Sequence, residues 1–166
     1  MQEEKQPMTL YGYQKLQDEL NHLKLVERPQ NTKAIEEALE HGDLKENAEY
    51  HAAKERQVNI DERLNELTSI IGSATLVDPS SLAHAKVSFG STILLCDLES
   101  DEEISYTIVG ACESNPAIGL ISFHSPLAKQ LLGKEEGDEF KAKLPMGVKE
   151  FEVLEVSYKE IIFESH

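Results

Sequence analysis

The chain has 166 residues, with 16 Lys and Arg against 31 Asp and Glu, which gives a formal net charge of −15. This balance disfavours a protein that coats nucleic acid by itself or binds an anionic membrane surface, because both need an excess of basic side chains. No apolar run approaches the ~18 residues of a membrane span, the first residues lack the apolar core of a signal peptide, and two cysteines are too few for a disulfide framework. We therefore expect a cytoplasmic protein that contacts no membrane.

The first long segment, residues 9–40, has helical periodicity. Its apolar residues recur at steps of three and four, which places them on one face of an amphipathic helix: Leu10, Tyr13, Leu16, Leu20, Leu23, Ile35, Ala38 and Leu39. Pro29 lacks a backbone donor, so we expect a kink or a break near Arg28.

A second helical pattern covers residues 44–71, with apolar side chains again on one face. The short connection between the two patterns contains Gly42, and glycine is favoured just past a helix end. Two long helices joined by so short a turn are expected to lie antiparallel. Residues 1–78 are thus predicted to form a long α-helical hairpin, a coiled coil with most of its surface charged.

The second half has strand-like patterns separated by turn residues. The predicted strands are 91–98, 104–109, 120–123, 139–144 and 149–158. Ser125 and Pro126 are typical of a helix start, and they predict a short helix that ends at Gly133. Strands with one small helix favour a compact α+β domain over residues 79–166.

The turn of the hairpin has two interpretations. Asp43 is a favoured N-cap residue, and Glu46 three positions later completes a capping-box arrangement. Alternatively, the two carboxylates form part of a magnesium site, because Mg²⁺ binds through one or two carboxylates and keeps several waters. The turn has too few ligands to be an active site alone, so it would complete a site in another macromolecule. The two roles are compatible.

The turn also carries a resemblance to a known family. Residues 41–53, HGDLKENAEYHAA, resemble the tip of the bacterial Gre transcript-cleavage factors, the GreA type more than the GreB type. The segments 8–10, 101–110 and 122–134 resemble other parts of that family in the same order. There are two departures: Leu39 stands where a familiar GreA has Arg, and Gln130 stands where the second C-terminal signature usually has a small residue.

The resemblance implies action on bacterial RNA polymerase that has backtracked and extruded the 3′ end of its nascent RNA. It implies that the C-terminal domain, similar in fold to FKBP-type isomerases, docks at the mouth of the polymerase secondary channel, and that the hairpin tip reaches the active centre. By matching position, Asp43 would help hold an Mg²⁺ shared with the polymerase, with Glu46 completing the site and positioning the attacking water. The polymerase would then hydrolyse its own transcript, and this protein would have no catalytic activity alone.

The resemblance implies further contact residues. The candidates for RNA contact are Lys45, Asn47, Tyr50, Lys54 and Arg56. The candidates for polymerase docking are Asp101, Glu102, Ser122, Ser125 and Pro126. Autonomous sequence-specific DNA binding is not expected.

Two other functions remain open from the sequence. One is a non-catalytic regulator of the same fold that occupies the secondary channel and alters transcription without cleavage. The other is a prolyl isomerase or chaperone, since fold similarity raises that activity, although a chain with no Trp and 6% aromatic residues offers little for an aromatic proline pocket.

Overall fold

The computed structural model describes residues 5–42 and 47–164 of the chain. The described residues form two compact units, one of residues 13–74 and the other of residues 5–12 with 75–164. The predicted domain boundary after residue 78 lies close to this division. Residues 5–12 differ from the prediction, because they belong to the second unit rather than to the hairpin.

The first unit is helical. It consists of α1 (Leu10–His22), a π turn (Leu23–Glu27), α2 (Arg28–Glu40) and α3 (Ala48–Gly72), with the first residues of α1 belonging to the second unit. Two hydrogen bonds join α2 to α3, one from Arg28 to Asp61 and one from Asn31 to Ala53. The residue numbers rise in α2 as they fall in α3, so the two helices run antiparallel. The predicted helical hairpin is confirmed.

Pro29 changes the helix without ending it. The backbone N–H of Arg28 donates to the carbonyl of Leu23, five residues earlier, which is the hydrogen bond of a π turn. The chain then continues as α2, with Pro29 in its first turn, where a missing N–H costs least. The interruption predicted near Arg28 is present, and it takes the form of a wider turn rather than a break.

The π turn keeps the buried side chains in phase. Within the first unit, the buried residues of α1, the π turn and α2, which together form the first arm of the hairpin, are Leu16, Leu23, Asn31 and Ala38. The successive steps are therefore seven, eight and seven residues. The long step spans the π turn, where one extra residue fits without rotating the buried stripe away from the partner helix. The buried residues of α3 keep ordinary coiled-coil spacing: Ala53, Ile60, Leu64 and Leu67.

A charged pair joins the two arms farther from the turn. Both guanidinium nitrogens Nε and Nη2 of Arg63 donate to the carboxylate of Glu19 at 2.9 Å. The hydrogen bond and the charge of Arg63 outweigh partial burial and hold the pKa of Glu19 below its ordinary value. The same pair raises the pKa of Arg63.

The second unit contains a two-stranded and a five-stranded sheet. The small sheet pairs β1 (Gln6–Met8) with β2 (Ala74–Leu76), and the first residue of β2 is the last residue of the first unit. The large sheet contains β3 (Thr92–Asp97), β4 (Glu103–Val109), β5 (Leu120–Ser122), β6 (Glu139–Leu144) and β7 (Gly147–Ser157), and the helix α4 is Pro126–Leu131. The predicted strands and the predicted short helix are all confirmed.

The strand order of the large sheet is β5-β4-β3-β7-β6. The pair β4 and β5 is parallel, and the other neighbours are antiparallel. Side chains of the central strands and of α4 form the core, among them the fully buried Ile93, Leu95, Ile108, Leu131 and Val153. Within residues 5–42 and 47–164, none of the helices is both long and apolar enough to cross a membrane.

Candidate functional site

The end of α2 leads into the turn of the hairpin. The helix ends at Glu40, and the backbone N–H of His41 donates to the carbonyl of Ala38 at 3.2 Å. Gly42 has a φ of +110°, a conformation that glycine adopts without the steric cost of a side chain. The helix end predicted at Gly42 is confirmed.

The start of α3 lies at a different residue from the predicted one. Its first residue is Ala48, and its N-cap is Asn47, whose Oδ1 accepts the backbone N–H of Tyr50 at 3.1 Å. The N-cap of α3 is therefore Asn47 rather than Asp43, and the predicted capping-box contacts of Asp43 and Glu46 lie outside the described residues. Asn and Asp cap helices about equally well, so intrinsic preference alone does not decide between the two positions.

The side chain of Asn47 makes a second contact across the hairpin. Its Nδ2 donates to the carbonyl of Ala38 at 2.6 Å. Ala38 lies in the last turn of α2, where carbonyl groups have no N–H of the same helix to accept. One amide group thus serves both the start of α3 and the end of α2, a role that local sequence patterns did not indicate.

Three of the predicted site residues, Asp43, Lys45 and Glu46, lie outside the described residues. Their predicted roles in metal binding, catalysis and RNA contact stay predictions. The structure describes the chain on both sides of them, up to Gly42 and again from Asn47.

The next RNA-contact candidates follow one face of α3. Asn47, Tyr50 and Lys54 are spaced by three and four residues, which places them on a common helix face. Lys54 donates from Nζ to the side-chain carbonyl of Gln57 at 3.2 Å, and the rings of Tyr50 and His51 meet edge to face with centroids 5.6 Å apart. Lys54 is itself exposed, so its ammonium group faces solvent.

Arg56, the remaining RNA-contact candidate, has a partner within the hairpin. Its Nη2 lies 3.2 Å from Oε1 of Glu27 in the other arm. Two residues of helix correspond to a rotation of about 200°, so Arg56 and Lys54 lie on different faces of α3. The structure does not bring these two cations together as one basic patch.

The docking candidates separate into two surfaces. Asp101 and Glu102 lie in the connection before β4, whereas Ser122 pairs with Val109 at the far end of that strand. At about 3.3 Å per residue, β4 separates the two groups by roughly 20 Å. We call Asp101 and Glu102 the turn surface, and Ser122, Ser125 and Pro126 the helix surface.

The backbone that carries the turn surface makes hydrogen bonds to a buried carboxylate. Asp97, 8% exposed, accepts the backbone N–H groups of Glu99 at 3.0 Å and Ser100 at 3.4 Å. Asp101 adopts a φ of +60°, which is uncommon for a residue other than glycine. The two acidic candidates therefore project from a turn with a defined backbone.

The helix surface is held at both ends of α4. Oγ of Ser125 accepts the backbone N–H of Ala128 at 3.2 Å, which confirms the predicted cap. Gln130 bonds both backbone groups of Lys143, with its Oε1 accepting at 2.8 Å and its Nε2 donating at 3.0 Å. Because β6 is an edge strand, the departure at Gln130 covers polar groups that would otherwise be left unpaired within the sheet.

Sequence reasoning missed Glu113, a carboxylate that is only 5% exposed. Its Oε1 accepts the backbone N–H groups of Thr9 at 2.9 Å and Gly110 at 3.0 Å, and its Oε2 accepts Gly12 N–H at 3.2 Å and the Thr9 hydroxyl. A negative charge is favourable at the N-terminus of a helix, here α1. A sequence pattern within the first turn of α1 cannot reveal a partner more than 100 positions away.

No group of three or more His, Cys, Asp and Glu side chains in the described part of the chain is placed to hold a metal ion. The turn residues predicted to share one are not among those searched.

Both halves of the chain match families of known proteins. Residues 6–76 match the family described as "Transcription elongation factor, N-terminal", and residues 82–158 match "Transcription elongation factor, GreA/GreB, C-term". The matched segments correspond to the helical hairpin and to most of the sheet domain. Together they define the class of protein as a transcription elongation factor.

Individual relatives match over nearly the full length. The transcription elongation factor GreA of Wolinella succinogenes is 61% identical over 161 residues, which cover 97% of this chain and 99% of the relative. The factor of the same name from Helicobacter pylori is 56% identical over 162 residues, covering 98% and 99%. The chain belongs to the GreA/GreB transcription elongation factor family.

Among solved structures, the GreA factor homolog 1 of Thermus thermophilus matches 92% of this chain and 99% of its own, with 28% identity and a TM-score of 0.43.

Proposed function

We propose that this protein stimulates cleavage of nascent RNA by bacterial RNA polymerase that has backtracked. The observation that carries the proposal is the cap of α3, which Asn47 provides. The cap of α3 therefore does not depend on Asp43 or Glu46, and we assign these two acids to the chemistry of cleavage. Family membership supports a role in transcription elongation.

The donor chemistry of the turn suits a shared magnesium ion. Carboxylate oxygens are the ligands that Mg²⁺ takes in proteins, and the ion requires six ligands, several of them water. Asp43 and Glu46 together supply fewer than that number, so the remaining ligands would come from the polymerase and from water. When bound, such an ion stabilises the charge that develops on the attacking and leaving oxygens of a phosphodiester.

The roles of the two acids in the reaction differ. Asp43 would hold the shared ion together with Glu46, and Glu46 would also orient a water by accepting a hydrogen bond from it. In the hydrolysis, the water oxygen would form a bond to phosphorus and the water would lose a proton, while the bond from phosphorus to the upstream ribose 3′ oxygen breaks and that oxygen gains a proton. The shortened RNA ends in a 3′ hydroxyl that the polymerase can extend. The catalytic centre belongs to the polymerase, so this protein alone cleaves no RNA.

The described residues suggest how the partners are contacted. Tyr50 and Lys54 lie along one face of α3 behind the turn, where an exposed ammonium group can contact an RNA phosphate. The turn surface and the helix surface lie too far apart for one small contact, so docking on the polymerase uses one of them or two separate contacts.

The test is a cleavage assay on a purified elongation complex, halted in a backtracked position with RNA labelled at its 5′ end. We expect the protein to shorten the RNA in the presence of Mg²⁺ and to restore extension when nucleotides are added. Inhibited elongation without shortened transcripts would instead identify a non-catalytic regulator. Free RNA incubated with the protein alone serves as the control, and its cleavage would contradict the assignment of the reaction to the polymerase.

A further inference from the structure

We propose that a groove in the second unit binds a segment of a partner protein that carries Lys or Arg side chains among apolar ones. The groove has a volume of about 570 Å³, within the range of ~300–1,000 Å³ that is typical of ligand sites. It is lined by residues from 9–11, 76–79 and 158–163. None of them belongs to the turn surface or the helix surface, and the proposal does not depend on the proposed cleavage function.

Three aromatic rings line the groove, and each has a contact that orients it. The rings of Tyr11 and Phe163 stack with centroids 4.2 Å apart and planes 8° from parallel. The hydroxyl of Tyr11 also donates to the carboxylate of Glu164 at 2.6 Å. The ring of Tyr158 stacks on that of His84 with centroids 5.3 Å apart. The aromatic wall is therefore in place before any partner binds.

The wall formed by residues 76–79 is fixed by packing and by a turn. Pro79 is buried against Gly90, where an added Cβ would clash with the proline ring. The carbonyl of Pro79 accepts a hydrogen bond from Nε2 of His84 at 2.6 Å, so the imidazole that supports the aromatic wall also anchors this one. Oδ1 of Asp78 accepts the backbone N–H of Ser80 at 3.0 Å, which holds the Asp78 carboxylate at the groove.

The groove also contains exposed apolar side chains. Leu10 is 66% exposed and Leu76 is 52% exposed, and both line the groove. Exposed apolar side chains are common singly, but here they adjoin aromatic rings in one concave surface. Apolar side chains of a partner would gain by packing here, because both apolar surfaces would leave water.

The charged residues of the groove favour a cation. Asp78 and Glu160 line it, and none of the described residues that line it is Lys, Arg or His. Carboxylates beside aromatic faces attract an ammonium or guanidinium group, through opposite charge and through the ring quadrupole. The same carboxylates repel nucleic acid and anionic membranes. The net charge of −15 disfavours a second copy of the chain, so a basic and partly apolar polypeptide is the occupant that fits.

A double variant removes the charge of the groove and keeps its turn. It combines Asp78→Asn with Glu160→Gln, and the first substitution retains the oxygen that accepts the Ser80 N–H. The matched control combines Glu139→Gln with Glu155→Gln, two exposed carboxylates that do not line the groove. Both double variants change the net charge equally, so the control corrects for general attraction of cations to an acidic protein.

The probe is a short peptide of alternating Leu and Arg with blocked ends, titrated into the isotope-labelled full chain and followed by NMR. We expect shifts in the amide signals of residues 76–78 and 160–163, with a Kd at or below about 1 mM. Replacing Arg by Gln in the peptide is expected to weaken binding about fivefold, and so is the double groove variant. The control variant should bind the peptide as the wild type does.

The same titrations show whether the proposal fails. Absence of binding, equal affinity for the Arg and Gln peptides, or shifts confined to another surface would each overturn it. An equal loss of affinity in the groove variant and the control variant would also overturn it, because net charge alone would then explain binding. Concentration-dependent dimerisation of the free protein with shifts of the same amide signals would identify a second copy as the occupant, against the proposal.

Discussion

At two helix starts, a single side chain makes hydrogen bonds with several backbone groups. Asn47 joins the end of α2 to the start of α3, and Glu113 accepts hydrogen bonds from Thr9, Gly12 and Gly110 at the start of α1. Propensity placed the cap of α3 four residues too early, because an Asp and an Asn are equally suited to it. Asn47 also donates to the carbonyl of Ala38, a group that a local sequence pattern does not place nearby.

The buried carboxylate of Glu113 gives a prediction at this scale. Both of its oxygens accept hydrogen bonds, so Glu113→Gln would turn an NH₂ group towards N–H or hydroxyl donors. We expect the free energy of unfolding to fall by about 3 kcal/mol, because buried donors are left unpaired. Urea denaturation measures this.

The exposed Glu102, changed to Gln, is the control for that substitution, and its effect is expected to stay within about 0.5 kcal/mol. Equal effects of the two variants would show that the contacts of Glu113 do not stabilise the fold.

Among the structural elements, the hairpin carries a polar residue in its apolar seam. Asn31 is 5% exposed and donates to the carbonyl of Ala53, which lies inside α3 and has an N–H of its own helix to accept. A buried Asn in such a seam lowers stability. We expect Asn31→Ile to raise the free energy of unfolding by about 1 kcal/mol, as measured by urea denaturation. A less stable variant would mean that the amide bond outweighs the gain in apolar burial.

The pair of Glu19 and Arg63 gives the hairpin a pH dependence. Arg63 holds the pKa of Glu19 below its ordinary value of 4.5, so the folded state binds fewer protons at this site than the unfolded state. The resulting stabilisation is present above pH 4.5 and is lost as the pH falls through the lowered pKa. Because both side chains are partly exposed, we expect it to be below about 1 kcal/mol.

The measurement compares the thermal midpoints of the wild type and Glu19→Gln at pH 7 and pH 3. The wild type should be more stable at pH 7, and the difference should shrink at pH 3, where the carboxylate is protonated. A difference that is equal at both values would contradict a contribution from the charge of Glu19.

Periodicity predicted the hairpin well, yet it did not predict the π turn. Pro29 has no backbone N–H, so it marks a position where the helical hydrogen bond to the carbonyl four residues earlier is missing. A kink, a break and a wider turn are all compatible with this loss. The step of eight residues between Leu23 and Asn31 settles the choice, since only a wider turn keeps both side chains in the seam. Which residues are buried along this helix depends on their contacts with the partner helix. A local sequence pattern does not contain that information.

At the scale of the whole molecule, the sheet domain was the most predictable part. Alternating apolar residues and turn signals located the five strands and the cap of α4 at Ser125, because these features are local. The order of the strands is not local, and neither is the pairing of Ser122 with Val109, which places the helix surface at the opposite end of β4 from the turn surface. The net charge of −15 disfavours independent binding of nucleic acid and of anionic membrane surfaces, and it is compatible with contact to RNA inside a partner protein that itself binds the nucleic acid.

The central claim is that the acids of the turn serve cleavage rather than folding. The most direct test measures thermal stability and cleavage of a backtracked complex for the double variant Asp43→Asn, Glu46→Gln. Because Asn47 caps α3, we predict a thermal midpoint within about 2 °C of the wild type, retained binding to the polymerase, and loss of stimulated cleavage. Cleavage at the wild-type rate by the double variant would contradict the account.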